Sequence, residues 1–163
     1  MLVFVPLSPG SLRALADGRP VTAALAWAVT PDFVAATGYT PDEAEEAEHE
    51  ALLLASLDAF TRHGLRLVAV AETAATPAAD PAVPGEVTVP ALSWRQVTAF
   101  FADDPAESAS IAAAAALVGQ PLPAALDSPV TPDLMAVPLL WYDKTELDRT
   151  PITLPTTTGL VTL

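Results

Sequence analysis

LVFVPLSPGSLRALADG, residues 2–18, holds in one stretch the alternation that decides the fold. LVFVP is short, apolar and rich in β-branched residues, a composition suited to a pleated, half-buried strand. Ser8-Pro9 follows as a helix start. The serine hydroxyl can accept from orphan N–H groups of the first turn, and the proline costs nothing at a position whose N–H would be unpaired anyway. Gly18 supplies the stop, because glycine adopts the left-handed conformation that ends a helix without steric cost.

The same punctuation recurs along the chain. Thr40-Pro41-Asp42-Glu43 reads as a capping box, and Asp104-Pro105-Ala106-Glu107 repeats it with an aspartate cap. Thr30-Pro31-Asp32 and Thr131-Pro132-Asp133 are two further helix starts. Gly38, Gly64 and Gly119 are stops, and Arg62-His63 place positive charge in the last turn before Gly64. The segment from Thr40 to His63 is expected to be the longest helix. Between these marks, TAALAWAV (22–29), LRLVAVAE (65–72), EVTVP (86–90) and VPLLWY (137–142) read as strands. RQVTAFFAD (95–103) supports a helix capped by Ser93 with Gln96 at the box position, or a strand alternating Val97, Ala99 and Phe101. The strand is preferred.

ETAATPAADPAVPGE (72–86) reads as a Pro/Ala linker. It separates halves 1–72 and 86–148, joined by 73–85, and a threonine-rich tail (149–163) either adds an edge strand or stays loose. The halves begin alike. Val3-Phe4-Val5-Pro6 with Leu7-Ser8 matches Val87-Thr88-Val89-Pro90 with Leu92-Ser93 after one inserted residue. That suggests a duplicated β-α-β-α-β unit, although a chain rich in Ala, Val and Pro also yields such matches by chance. The alternation predicts a single α/β or α+β domain over 1–148, with a sheet of about five or six strands covered by helices.

Charge narrows the function classes. Seven Lys+Arg stand against 20 Asp+Glu, a net charge of −13 in 163 residues, and the basic residues are scattered singly. Direct nucleic-acid binding and attachment to an anionic membrane are not expected from such a chain. The absence of cysteine excludes disulfides, thiolate zinc sites and cysteine nucleophiles. The N-terminus has no basic n-region and too short an apolar run for a signal peptide. The longest uncharged stretch, 108–126, is broken by Gly119, Pro121 and Pro123. A cytoplasmic location is expected.

The motifs that would carry chemistry are incomplete. In DEAEEAEHEALLL (42–54), His49-Glu50 opens the zinc-protease pattern, but Leu53 stands where the second histidine belongs. Glu46 and His49 make one Glu-x-x-His pair of a di-iron site, which needs a second. The only other histidine, His63, is about 21 Å away along a helix. No metal ligand or cofactor is assigned, and the segment reads as a solvated acidic helix face. Seven glycines are spread singly, with no phosphate loop or nucleophile elbow. Asp103, Asp104, Glu107, Asp143, Glu146 and Asp148 would hold Mg²⁺, or act as acid and base, if one end of a sheet brought them together. Against this, Asp104 and Glu107 are claimed by a cap, and Lys144 can pair with its acidic neighbours.

PLLWYDKTEL (138–147) is the densest patch of chemically distinctive side chains. In a strand Trp141 and Tyr142 point to opposite faces, so one fills the core while the other meets solvent, a helix or a partner. Asp143, Lys144 and Glu146 are expected as a charged rim around that aromatic.

VFVP, AWAVTPDF (26–33), FFADDPAE (100–107) and LLWYDKTEL (139–147) together resemble an uncharacterised family of small, acidic, alanine-rich proteins from high-GC Gram-positive bacteria. The resemblance runs over about residues 2–148, outside the linker. It implies a cytoplasmic α/β domain and brings no catalytic residue with it. The combined expectation is a non-enzymatic protein-interaction or regulatory domain. Trp141, Tyr142, Asp143, Lys144 and Glu146 would meet an unidentified protein partner or a second copy in a homodimer. One alternative is an enzyme or divalent-cation binder built around Asp103 and Asp143. The other is an acidic decoy that occupies a nucleic-acid-binding protein through the carboxylates between Asp42 and Glu50.

Overall fold

The structure, a computed structural model, describes residues 1–155. Its strands are β1 (Leu2–Pro6), β2 (Val21–Trp27), β3 (Leu67–Glu72), β4 (Thr76–Pro77), β5 (Glu86–Leu92), β6 (Val97–Ala102) and β7 (Leu140–Asp143). The helices are α1 (Pro9–Ala16), α2 (Pro31–Thr37), α3 (Ala44–His63), α4 (Ser108–Leu117), α5 (Leu122–Leu126) and α6 (Thr131–Met135). The 3-10 turns Pro41–Glu43, Trp94–Gln96 and Lys144–Arg149 complete the described elements. All seven strands join one antiparallel sheet in the order β4-β5-β2-β1-β3-β6-β7, an α+β arrangement.

The local signals act where the sequence places them. Ser8 Oγ accepts from Ser11 N at 3.1 Å, and Thr30 Oγ1 from Phe33 N at 3.2 Å. Thr40 N donates to Glu43 Oε2 at 2.8 Å, closing the turn from which α3 runs for 20 residues to the left-handed Gly64. Both readings of RQVTAFFAD are realised in succession. Ser93 N donates to Gln96 Oε1 at 2.9 Å around a 3-10 turn, and the strand begins at Val97.

Two expectations fail locally. Asp104 does not start a helix: its Oδ1 accepts from Ala106 N at 2.9 Å, and α4 begins only at Ser108. An aspartate that bonds two residues ahead stabilises a tight turn in place of a helix cap. Thr131 lies inside α6, where its hydroxyl donates to the Ala125 carbonyl instead of capping.

The sheet contains one strand more than the sequence segments predict, and it comes from the linker. Thr76 pairs with Thr88 and Pro77 with Val87, placing a proline on an edge where its missing donor is harmless. The halves also interleave. β1 lies between β2 and β3, whereas β5 lies between β4 and β2, away from β6 and β7. Neither the order of elements nor the strand pairing repeats: the helix α1 between β1 and β2 has only the 3-10 turn Trp94–Gln96 as its counterpart between β5 and β6, so the second half does not reproduce the first as a folded unit. Pairing is a long-range choice that the matching local segments do not encode.

Each face of the sheet carries its own core. Val3, Val5, Ala69, Val89 and Phe100 pack with Leu12 and Leu15 of α1 and with Leu147 and Ile152 near the end of the described chain. The start of the tail is thus tied down by Ile152, and residues 156–163 lie outside the described residues. On the other face Phe4, Trp27 and Val68 meet α3 through Ala47, Ala51 and Ala55, whose four-residue spacing makes one inward stripe. Leu117, Leu122 and Leu134 bring α4, α5 and α6 into the same layer. Among the described residues no helix is long and apolar enough to cross a membrane.

Proline also shapes the sheet interior. The register between β1 and β2 holds only at Phe4↔Trp27, because Pro6 has no N–H to carry the ladder on towards Leu25. On the other side of β2, Ala23 falls between the pairs Thr22↔Ala91 and Ala24↔Val89, opposite Pro90, and takes φ 51°.

Candidate functional site

The β6–β7 ladder decides where the aromatic pair goes. Phe100 lies opposite Tyr142 and Phe101 opposite Trp141, so each pair shares a face. Tyr142 stacks on the buried Phe100 with ring centres 5.2 Å apart, on the α1 side. Burial, reinforced by the carboxylates of Asp104 and Glu146, raises its hydroxyl above the ordinary tyrosine range. Trp141 takes the α3 side and is 58% exposed, beside Leu140 at 41%.

Trp141 borders a groove of about 440 Å³ between the sheet and the N-terminal half of α3. The floor is Leu2, Phe4, Val70 and Phe101, and the wall is Glu45, Glu48, His49 and Leu52. Beyond Leu52 and Phe101 a second depression of about 300 Å³ continues over Met135, Val137, Pro138 and Leu139. His49 lines both. The surface is apolar underneath, acidic along one side and open to solvent.

Of the expected rim, Lys144 and Glu146 lie on the α1 side, whereas Asp143, two residues along β7 from Trp141 and paired with Ala99, keeps Trp141's face. Asp143 Oδ1 accepts from Thr145 N at 2.9 Å and from its hydroxyl at 2.7 Å, bonds that hold the carboxyl below the usual range. Asp143 N in turn donates to Glu146 Oε2 at 3.0 Å, completing a capping box on the turn after β7. Glu146 also pairs with Arg149 at 3.4 Å. Lys144 Nζ donates to the Trp94 carbonyl at 3.2 Å and stands 5.7 Å from the centre of that ring, on the α1 side. The chain leaves β7 towards that face because Leu147 must be buried there. The charged groups that line the groove beside Trp141 come from α3. Sequence reasoning read that acidic segment as a plain solvated face, since no local signal says it lies across from β7.

Asp103 and Asp143, the centres of the two acidic clusters, do not meet. Ala102 pairs with Leu140 and Ala99 with Asp143, so Asp103 and Asp143 lie at opposite ends of the ladder, about 13 Å apart at the rise of an antiparallel strand. Asp103 is wholly buried and already neutralised. Arg66 Nε and Nη2 donate to its two oxygens at 3.0 Å each, and Ser110 Oγ donates at 2.8 Å. Arg66 Nη2 also reaches the Val137 carbonyl at 2.9 Å. This is a fork-to-fork ion pair that fastens β3, the end of β6 and α4. Among the described residues, no three His, Asp or Glu side chains are grouped to hold a metal ion.

A second buried carboxylate is similarly occupied. Asp58 accepts from Trp27 Nε1 at 3.3 Å and from Arg62 Nε at 2.8 Å, tying α3 to β2. Next to it, where β1 and β2 part, lies a cleft of about 290 Å³ lined by Ser8, Ser11, Arg62 and His63. Burial and the neighbouring Arg62 push the His63 imidazole below its ordinary range.

No curated protein and no solved structure matches the chain. A family model of unknown function matches the chain and spans the sheet, its helices and the groove. By that match over residues 1–150, the chain belongs to the Family of unknown function (DUF6912).

Proposed function

We propose that this chain is a non-enzymatic cytoplasmic domain that works by binding another protein, and that the partner sits beside Trp141. One observation carries the reading: a tryptophan 58% exposed at the border of an apolar groove whose facing wall is acidic. Tryptophan is among the residues that contribute most when an interface buries them. The groups best suited to chemistry are meanwhile committed to structure, Asp103 to Arg66 and Asp58 to Arg62.

Affinity capture from the native host tests this with Trp141→Ala beside wild type. Specific partners should be lost with Trp141→Ala and kept with the double change Asp143→Ala, Glu146→Ala, whose side chains serve the turn after β7. Equal recovery by wild type and Trp141→Ala would show that this surface does not bind.

The decoy reading retains one supporting observation, since Asp42, Glu45, Glu46 and Glu48 are all exposed on or just before α3. A decoy holds a basic partner by charge alone. It therefore predicts capture that survives Trp141→Ala and is lost when Glu45 and Glu48 become Gln.

A further inference from the structure

Resting on the docking reading above, we infer that the occupant of the Trp141 groove is a single amphipathic helix of the partner, carrying Lys or Arg along one flank. The floor residues come from four neighbouring strands: Leu2 and Phe4 of β1, Val70 of β3, Phe101 of β6 and Trp141 of β7. Three strand spacings make about 14 Å, enough for a helix about 10 Å across to lie on the sheet beside α3. The wall formed by Glu45, Glu48, His49 and Leu52 follows the three- and four-residue spacing of one flank of α3. It is about 10 Å long and gives a second helix a parallel or antiparallel neighbour. An extended peptide would fit poorly. It would add to the outer edge of β7, which pairs with no further strand among the described residues, touching Trp141 but not Leu2 or Val70, which lie inward of that edge.

Charge selects the flank. Glu45 and Glu48 are exposed, and neither has an ion-pair partner among the described residues. A bound helix whose apolar stripe meets the sheet would turn one flank towards them, where Lys or Arg is favoured and Glu or Asp repelled. The net charge of −13 attracts such a segment and opposes a second copy of this chain in the same place. The result is helix-in-groove recognition with an electrostatic filter.

The test is selection from a displayed library of random peptides about 16 residues long, about 24 Å as a helix, on wild-type protein with counter-selection on Trp141→Ala. The enriched sequences should repeat apolar residues at i, i+3, i+4 and i+7, with Lys or Arg along one side. A synthetic peptide from that set should bind at least tenfold more weakly when its basic residues become Glu. It should also lose most of its salt dependence against Glu45→Gln, Glu48→Gln protein. Enrichment of apolar residues at every second position would mean an extended occupant, and an absence of Trp141-dependent peptides would mean no helix groove. A Trp141-dependent dimer in sedimentation would mean a second copy. Each of these overturns the inference, whereas the docking reading itself stands or falls on Trp141-dependent capture from the host.

Discussion

Asp103→Ala should be the most damaging single change to a carboxylate in this protein. The guanidinium of Arg66 and the carboxylate of Asp103 are both 0% exposed, and one guanidinium nitrogen, Nη1, has no partner among the described residues. Removing the carboxylate strips Arg66 of two of its three hydrogen bonds and leaves its charge in the interior. Breaking a buried pair from one side typically costs about 3–5 kcal/mol. At about 2–4 °C per kcal/mol for a domain of this size, the melting temperature should fall by about 6–20 °C. The double replacement Arg66→Met, Asp103→Leu should recover most of that loss, since an apolar pair of similar volume needs no desolvated charge. Thermal and urea unfolding of the two single variants and the double variant would measure the coupling. Two results together would refute the reasoning. Asp103→Ala would melt within about 2 °C of wild type, and Mg²⁺ would stabilise wild type but not the variant. A cation at a hundred times its dissociation constant adds about 2.7 kcal/mol, so a cation site at Asp103 would be plain.

Tyr142→Ala should cost more than Trp141→Ala, about 2–3 kcal/mol against about 1–2 kcal/mol, because only Tyr142 stacks on a buried ring; urea midpoints in the opposite order would reverse the assignment of faces. Ala23→Gly should stabilise by about 0.5–1 kcal/mol by relieving a left-handed alanine at φ 51°. Gly85→Ala should destabilise by about 2 kcal/mol or more, since its Cβ would lie 2.8 Å from the Phe33 ring at φ 100°. The Glu43 and Asp143 carboxyls, lowered by hydrogen bonds from Thr40 and Thr145, should titrate by NMR below ordinary carboxyls. The stability they lend is full above the ordinary range and is lost as pH falls through the lowered values. His63, lowered by burial and Arg62, binds its proton more weakly folded than unfolded, so stability drops as pH falls from the ordinary histidine range through its lowered value. A His63 that titrates above free histidine would contradict that packing.

What the sequence by itself determined is local. The caps at Ser8, Thr30 and Thr40 and the stop at Gly64 work through bonds spanning three or four residues, so reading those residues is enough to place the helix ends. Alternation likewise sent Trp141 and Tyr142 to opposite faces, because successive side chains of any strand diverge. The same logic failed at Asp104, where a turn and a helix cap compete for one aspartate at nearly equal cost.

Tertiary structure decided everything that depends on residues far apart in the chain. Asp103 meets Arg66 only because β6 pairs with β3, and that pairing turns a candidate cation ligand into a neutralised strut. β5 left the other strands of its half to pair with β2, so two similar openings did not become two similar units. Tyr142 was taken into the core by Phe100 across the ladder, and Leu147 drew Lys144 and Glu146 to that face after it. Trp141 was left on the other face, opposite the carboxylates of a helix that begins almost a hundred residues earlier in the chain. Local bonding energies say nothing about such encounters, which are settled by the burial of both sheet faces at once.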